Sequence, residues 1–149
     1  MKKEIRLNNV LFPIWMLLMF PASWLIVIPG NFIIDSAVLL IAMIALNLEN
    51  KKVFYKKHIL KVFLFGFIAD IIAAAIMLLM FTLFEIGGGL ADGPLLTVPG
   101  VLIASALIFV FNYFFSFNKD EKKARLRLAL ILAITTAPYT FMIPSSWIY

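Results

Sequence analysis

The 149-residue chain is 64% hydrophobic and only 14% charged, with a mean hydropathy of +1.04. Soluble domains average about 45–50% apolar and about 25% charged, so a water-soluble fold of this length could not hide so much apolar surface within itself. The net charge of +5 is no nucleic-acid signal, because all thirteen Lys and Arg residues lie in short segments beside apolar runs, where membrane topology places them.

A single domain over residues 1–149 is expected, an all-α integral membrane protein. The hydrocarbon core is about 30 Å thick and needs roughly 20 apolar residues per helical crossing. Five runs approach that length and predict a five-transmembrane-helix bundle: Val10–Ile28, Phe32–Leu48, Ile59–Phe84, Leu95–Phe117 and Leu126–Ile143. The first follows a basic start but is too long for a signal-peptide core and has no small-residue cleavage site after it, so it reads as a retained span. Between the first two runs stands Pro29-Gly30-Asn31. Pro-Gly is a strong turn signal and Asn31 a good N-cap, which predicts a tight helical hairpin; the competing reading is one broken or re-entrant element. The third run is long enough to require tilt or protrusion. Pro21 and Pro138 fall inside the first and fifth runs, where each removes a backbone hydrogen bond and is expected to kink its helix. Trp147 and Tyr149 read as interfacial anchors.

Orientation follows from the basic residues. Lys2, Lys3 and Arg6 precede the first run. Lys51, Lys52, Lys56, Lys57 and Lys61 lie between or just inside the second and third, and Lys119, Lys122, Lys123, Arg125 and Arg127 between or just inside the fourth and fifth. With five spans all of them fall on one side, the cytoplasm by the positive-inside rule. The N-terminus is then cytoplasmic and the C-terminus outside, in a bacterial plasma membrane, with the basic loops against anionic lipid heads.

The absence of cysteine removes disulfides and thiolate metal sites. One histidine, His58, has no carboxylate near it in sequence and cannot build a zinc site alone. No metal, cofactor or nucleic-acid partner is expected.

Asp70 is the most informative residue. It lies nine positions after Lys61 and fifteen before Glu85, which at 1.5 Å per residue puts it about 13 Å from the inner boundary and about 22 Å from the outer one. An acid at that depth costs about 2.5–3.5 kcal/mol on insertion scales and marks ion paths, proton relays or partner contacts. With no Lys, Arg or His at comparable depth, Asp70 is expected to be protonated or to face water or a cation. The bland alternative is a neutral acid hydrogen-bonded to a neighbouring helix. Gly66, Ala69 and Ala73 share its helix face, and Ala129, Ala133 and Ala137 form a similar stripe on the fifth run; small residues of this kind let helices approach closely. Thr135 and Thr136 fall near the depth of Asp70 and are expected as its hydrogen-bond partners, with Asn112 somewhat nearer the inner side.

Asp35 is a weaker signal. One turn into the second run, it is favoured by the helix dipole, and the expected depth difference from Asp70 is about 11 Å. Two aspartates on adjacent helices invite comparison with intramembrane aspartyl proteases. Those enzymes carry Gly-x-Gly-Asp, whereas this segment reads Gly66-Phe67-Ile68-Ala69-Asp70, and the depth difference argues against a shared catalytic water. An enzyme is therefore not expected. The leading expectation is an ion- or proton-coupled transporter or channel, acting as a homo-oligomer, with Asp70, Asp35, Thr135, Thr136 and Asn112 as binding residues. The alternative is an accessory, immunity or assembly subunit whose intramembrane aspartate pairs with a partner membrane protein.

Overall fold

The computed structural model of the chain describes residues 18–84 and 94–143. Four α-helices make up this portion: α1 (Trp24–Ala45), α2 (Lys51–Phe84), α3 (Pro94–Phe111) and α4 (Lys122–Thr135). There is no strand among the described residues. In place of the expected five helices the described residues hold four, and three stretches among them, Pro21–Ala45, Lys51–Leu83 and Leu96–Ser116, are long and apolar enough to cross a membrane. The expected positions of the chain termini lie outside the described residues.

The largest departure is at Pro29-Gly30-Asn31. These residues do not turn; α1 runs straight through them. Proline lacks only its own N–H, and where no water can take up freed backbone groups, continuing the helix leaves fewer of them unpaired than breaking it. The entrance to α1 is a 3-10 turn, Pro21–Ser23, where the Ser23 hydroxyl donates to the Phe20 carbonyl at 2.7 Å. The Trp24 indole N–H donates to the Leu18 carbonyl at 2.9 Å. The exit is a Schellman motif. Leu48 N–H bonds Met43 O, and Asn47 N–H bonds Ile44 O, both at 3.1 Å. Asn47 takes the left-handed conformation the motif requires, with φ of 50°.

Helix α2 begins eight residues before the apolar run that announces it. Its 34 residues measure about 51 Å, so the basic turns at its start project beyond a 30 Å hydrocarbon layer. Lysine is a good helix former, and hydropathy marks the lipid boundary rather than the helix end. Helix α3 passes into a π-helical segment, Asn112–Ser116. Helix α4 stops at Thr135, well short of Ile143. Its 14 residues cover about 21 Å, too little for a crossing. Pro138 is the cause: it cannot donate to the Ile134 carbonyl, and the Tyr139 hydroxyl donates there instead. Beyond it the chain makes a 3-10 turn, Tyr139–Met142.

The helices close a ring. Helix α2 packs on α1 and α3, and α4 packs on α3 and α1. The short links 46–50 and 117–121 make their helix pairs antiparallel. A 3.6 Å ion pair between Lys57 and Asp120 brings both basic segments to the same end. Two apolar clusters fill the ring. One, towards the basic end, holds Leu39, Met43, Val62, Ile108, Leu128 and Leu132; the other holds Ala73, Met77, Leu96, Val101 and Ala104. Gly100 lets α3 close onto α2, since a Cβ there would stand 2.0 Å from Met77 Sδ. Large apolar side chains such as Leu25, Ile33, Ile41 and Leu102 remain exposed, Leu25 by 83%, as a lipid-facing surface requires.

Candidate functional site: a cavity between two aspartates

Asp70 lies on α2 between Ala69 of one apolar cluster and Ala73 of the other. Beside it is a cavity of about 290 Å³, walled by α1, α2, the end of α4 and the turn that follows α4. Asp35 lines the same cavity. The expected depth difference between the two acids is corrected: with α1 continuous, Asp35 is the twelfth of its 22 residues and sits in mid-helix against Gly66, one helical turn, about 6 Å, from Asp70. The depth difference thus shrinks from about two turns to about one, while the lack of Gly-x-Gly-Asp stands.

Helix periodicity explains how each wall is built. Val27, Asn31 and Asp35 recur at i, i+4, i+8 on α1, and Gly66 and Asp70 at i, i+4 on α2, so each set lies on one face; all five line the cavity. Asp35 is 5% exposed and Asp70 6%. Gly66 is what lets the first acid in, because a Cβ there would stand 3.3 Å from Asp35 Oδ2. Asn31 Nδ2 donates to Asp70 Oδ2 at 3.3 Å. Asp70 Oδ1 has no hydrogen-bond partner among the described residues. No Lys, Arg or His among the described residues lines the cavity. Two buried acids thus face a void with one amide donor between them, and a buried charge without a partner is costly.

Thr135 and Thr136 line this cavity too, but as acceptors rather than as donors to Asp70. Their hydroxyls donate back to Ile131 O and Leu132 O, at 2.6 and 2.8 Å, which leaves oxygen lone pairs available. Non-helical backbone deep in a membrane is tolerated where it is buried in protein or lines a cavity, and residues 137–141 do the latter. Asn112 does not join the site. It is 0% exposed in the π segment, and its amide donates to Ile108 O at 2.9 Å. Of the small-residue positions, Ala69, Ala73, Ala129, Ala133 and Ala137 are buried, and Gly66 and Ala137 line the cavity.

Sequence reasoning missed Asn31, Tyr139 and Thr140 as cavity residues. Asn31 stands four positions before Asp35, a usable helical signal hidden by reading Pro29–Asn31 as a turn. It also left His58 without a carboxylate. The imidazole, 1% exposed, lies with Nε2 3.2 Å from Asp120 Oδ2 and Nδ1 2.8 Å from the Ser116 carbonyl. Phe54 and Phe117 pack on its ring. No group of three or more His, Cys, Asp or Glu able to hold a metal occurs among the described residues.

The class these features define is a protein that is all-helical over its described residues, with three helices of membrane-crossing length, two of which wall an acidic cavity. The chain matches no family model, no curated protein and no solved structure, so its function is argued from the site itself.

Proposed function

We propose that this is a small integral membrane protein of the plasma membrane that binds a cation or proton in the Asp35–Asp70 cavity and moves it across the bilayer, as a coupled transporter or channel. In this reading the basic end faces the cytoplasm and its anionic lipids, and the protein works as a homo-oligomer because one bundle of this size encloses little volume. One observation carries the reading: two buried carboxyl groups from different helices converge on one cavity whose wall holds no basic side chain among the described residues. Ionisable groups so placed in a membrane bundle mark substrate and ion pathways. The accessory-subunit reading needs Asp70 to reach a partner's helix, and a side chain 6% exposed and turned to an internal cavity lends it no support.

The test is flux in vesicles reconstituted with the full chain. Asp70→Asn and Asp35→Asn each keep side-chain size and remove the charge. Each is expected to lower cation or proton flux at least tenfold while helicity by circular dichroism stays unchanged. Flux equal to the parent in both variants removes the proposal.

A further inference from the structure

Resting on that reading, we propose that the occupant of the cavity is a small organic cation, an aliphatic amine whose ammonium group lies between Asp35 and Asp70 and whose hydrocarbon body lies against Val27 and Ile34. Size is the first argument. The cavity of about 290 Å³ equals roughly ten water volumes of about 30 Å³. It stands at the lower edge of small-molecule pockets, which begin near 300 Å³, and far exceeds a bare metal ion. The walls are the second argument. Leu18, Val27, Ile34 and Phe141 line it together with the acids and the polar Asn31, Thr135 and Thr136, so the wall offers an apolar surface beside the acids. A metal ion gains nothing from an apolar wall; an alkylammonium buries its chain there, at about 0.8 kcal/mol per CH₂.

The donors and acceptors complete the argument. A hard metal ion such as calcium takes six to eight converging oxygens at about 2.3–2.6 Å. Here Asn31 turns its N–H, not its carbonyl, to Asp70, and that bond holds the carboxyl in place. An ammonium carries three donors. Asp70 Oδ1, without a partner among the described residues, the Asp35 carboxyl and the lone pairs of Thr135 or Thr136 supply three acceptors from three elements around the cavity. A second ammonium on the same chain would find the other acid, so short diamines belong to the same class.

The experiment uses the purified full chain in detergent, with n-butylamine, 1,4-diaminobutane, methylamine, sodium and potassium as probes, read by calorimetry and by thermal shift. The amines with four carbons are expected to half-saturate at concentrations at least tenfold below sodium or potassium. Asp70→Asn should weaken them tenfold or more. Val27→Phe, which fills the apolar wall and leaves both acids, should abolish butylamine binding while methylamine still binds; a variant that had merely misfolded would lose both. Equal affinity for sodium and butylamine, with Val27→Phe without effect, overturns the organic-cation assignment and leaves the cation-transport reading standing. If no probe binds and Asp70→Asn vesicles keep full flux, both fail together.

Discussion

Gly66→Ala separates the site from the scaffold. The new Cβ would stand 3.3 Å from Asp35 Oδ2, inside the roughly 3.5–4.0 Å of comfortable nonbonded contact. The carboxyl group, the free end of a side chain, must therefore retreat into the cavity by a few tenths of an ångström. An off-rotamer side chain costs about 0.5–1.5 kcal/mol, while replacing glycine by alanine inside a helix gains up to about 1 kcal/mol. The two nearly cancel, so stability should stay within about 1 kcal/mol of the parent. Function should not cancel: misplacing a binding group by about 1 Å can cost a hundredfold, and a shift of tenths should cost about tenfold in flux. Thermal unfolding in detergent and flux in vesicles, measured on the same preparation, give the two numbers. A stability loss above about 2 kcal/mol with full flux would show that Gly66 serves helix packing alone and that the position of Asp35 is irrelevant to transport.

Three further perturbations test the frame around the site. Gly100→Ala drives a methyl to 2.0 Å from Met77 Sδ and 2.7 Å from its Cγ; overpacking of this kind costs about 1–3 kcal/mol, and Met77→Ala in the same chain should recover part of the loss, so strictly additive effects in a double-mutant cycle would refute the contact. His58→Ala leaves the Ser116 carbonyl and Asp120 without their imidazole; a loss of about 1–3 kcal/mol is expected, with faster amide hydrogen exchange across residues 112–120, and unchanged exchange there would mean the histidine does not hold the loop. Pro138→Ala supplies an N–H for Ile134 O and should let α4 grow past Thr135; amide protection at position 138 together with reduced flux is the expected pair, and an unprotected amide would show that proline is not what ends the helix.

Much of the site was legible in the sequence, and what was not has a physical pattern. Asp70 stood out because depth along one uninterrupted helix is simple arithmetic. Gly66, Ala69 and Ala73 followed from its periodicity, as did Thr135 and Thr136 from their count along α4. Asp35 reads from the sequence as one turn into its helix rather than in the middle of it, because Pro29-Gly30 carries a turn signal. That signal holds in water, where freed carbonyls are solvated, and fails where the helix itself must satisfy them. Asn31 was hidden by the same signal. The lengths of α2 and α4 were misjudged for a different reason: hydropathy reports where lipid begins, and neither lysine-rich helix nor a proline stop changes that profile. The His58–Asp120 contact has no local signature at all, since it joins α2 to the α3–α4 link across the bundle.

Pro29 and Pro138 show how one residue type yields opposite outcomes. At Pro29 nothing replaces the helix, and the helix persists. At Pro138 two substitutes are at hand: the Ser105 hydroxyl donates to the Ala133 carbonyl at 2.8 Å, and the Tyr139 hydroxyl donates to that of Ile134. With those acceptors engaged the helix can end inside the bundle without stranding its last turn. Ending there leaves a fourth wall about 9 Å short of a full crossing, about 21 Å of helix against a hydrocarbon core of about 30 Å, and the gap opens beside the only stretch of α1 and α2 that carries acids. The cavity and the break are thus one feature: the residues at the end of α4 and just past it, Thr135, Thr136 and Tyr139, line the space that Asp35 and Asp70 face.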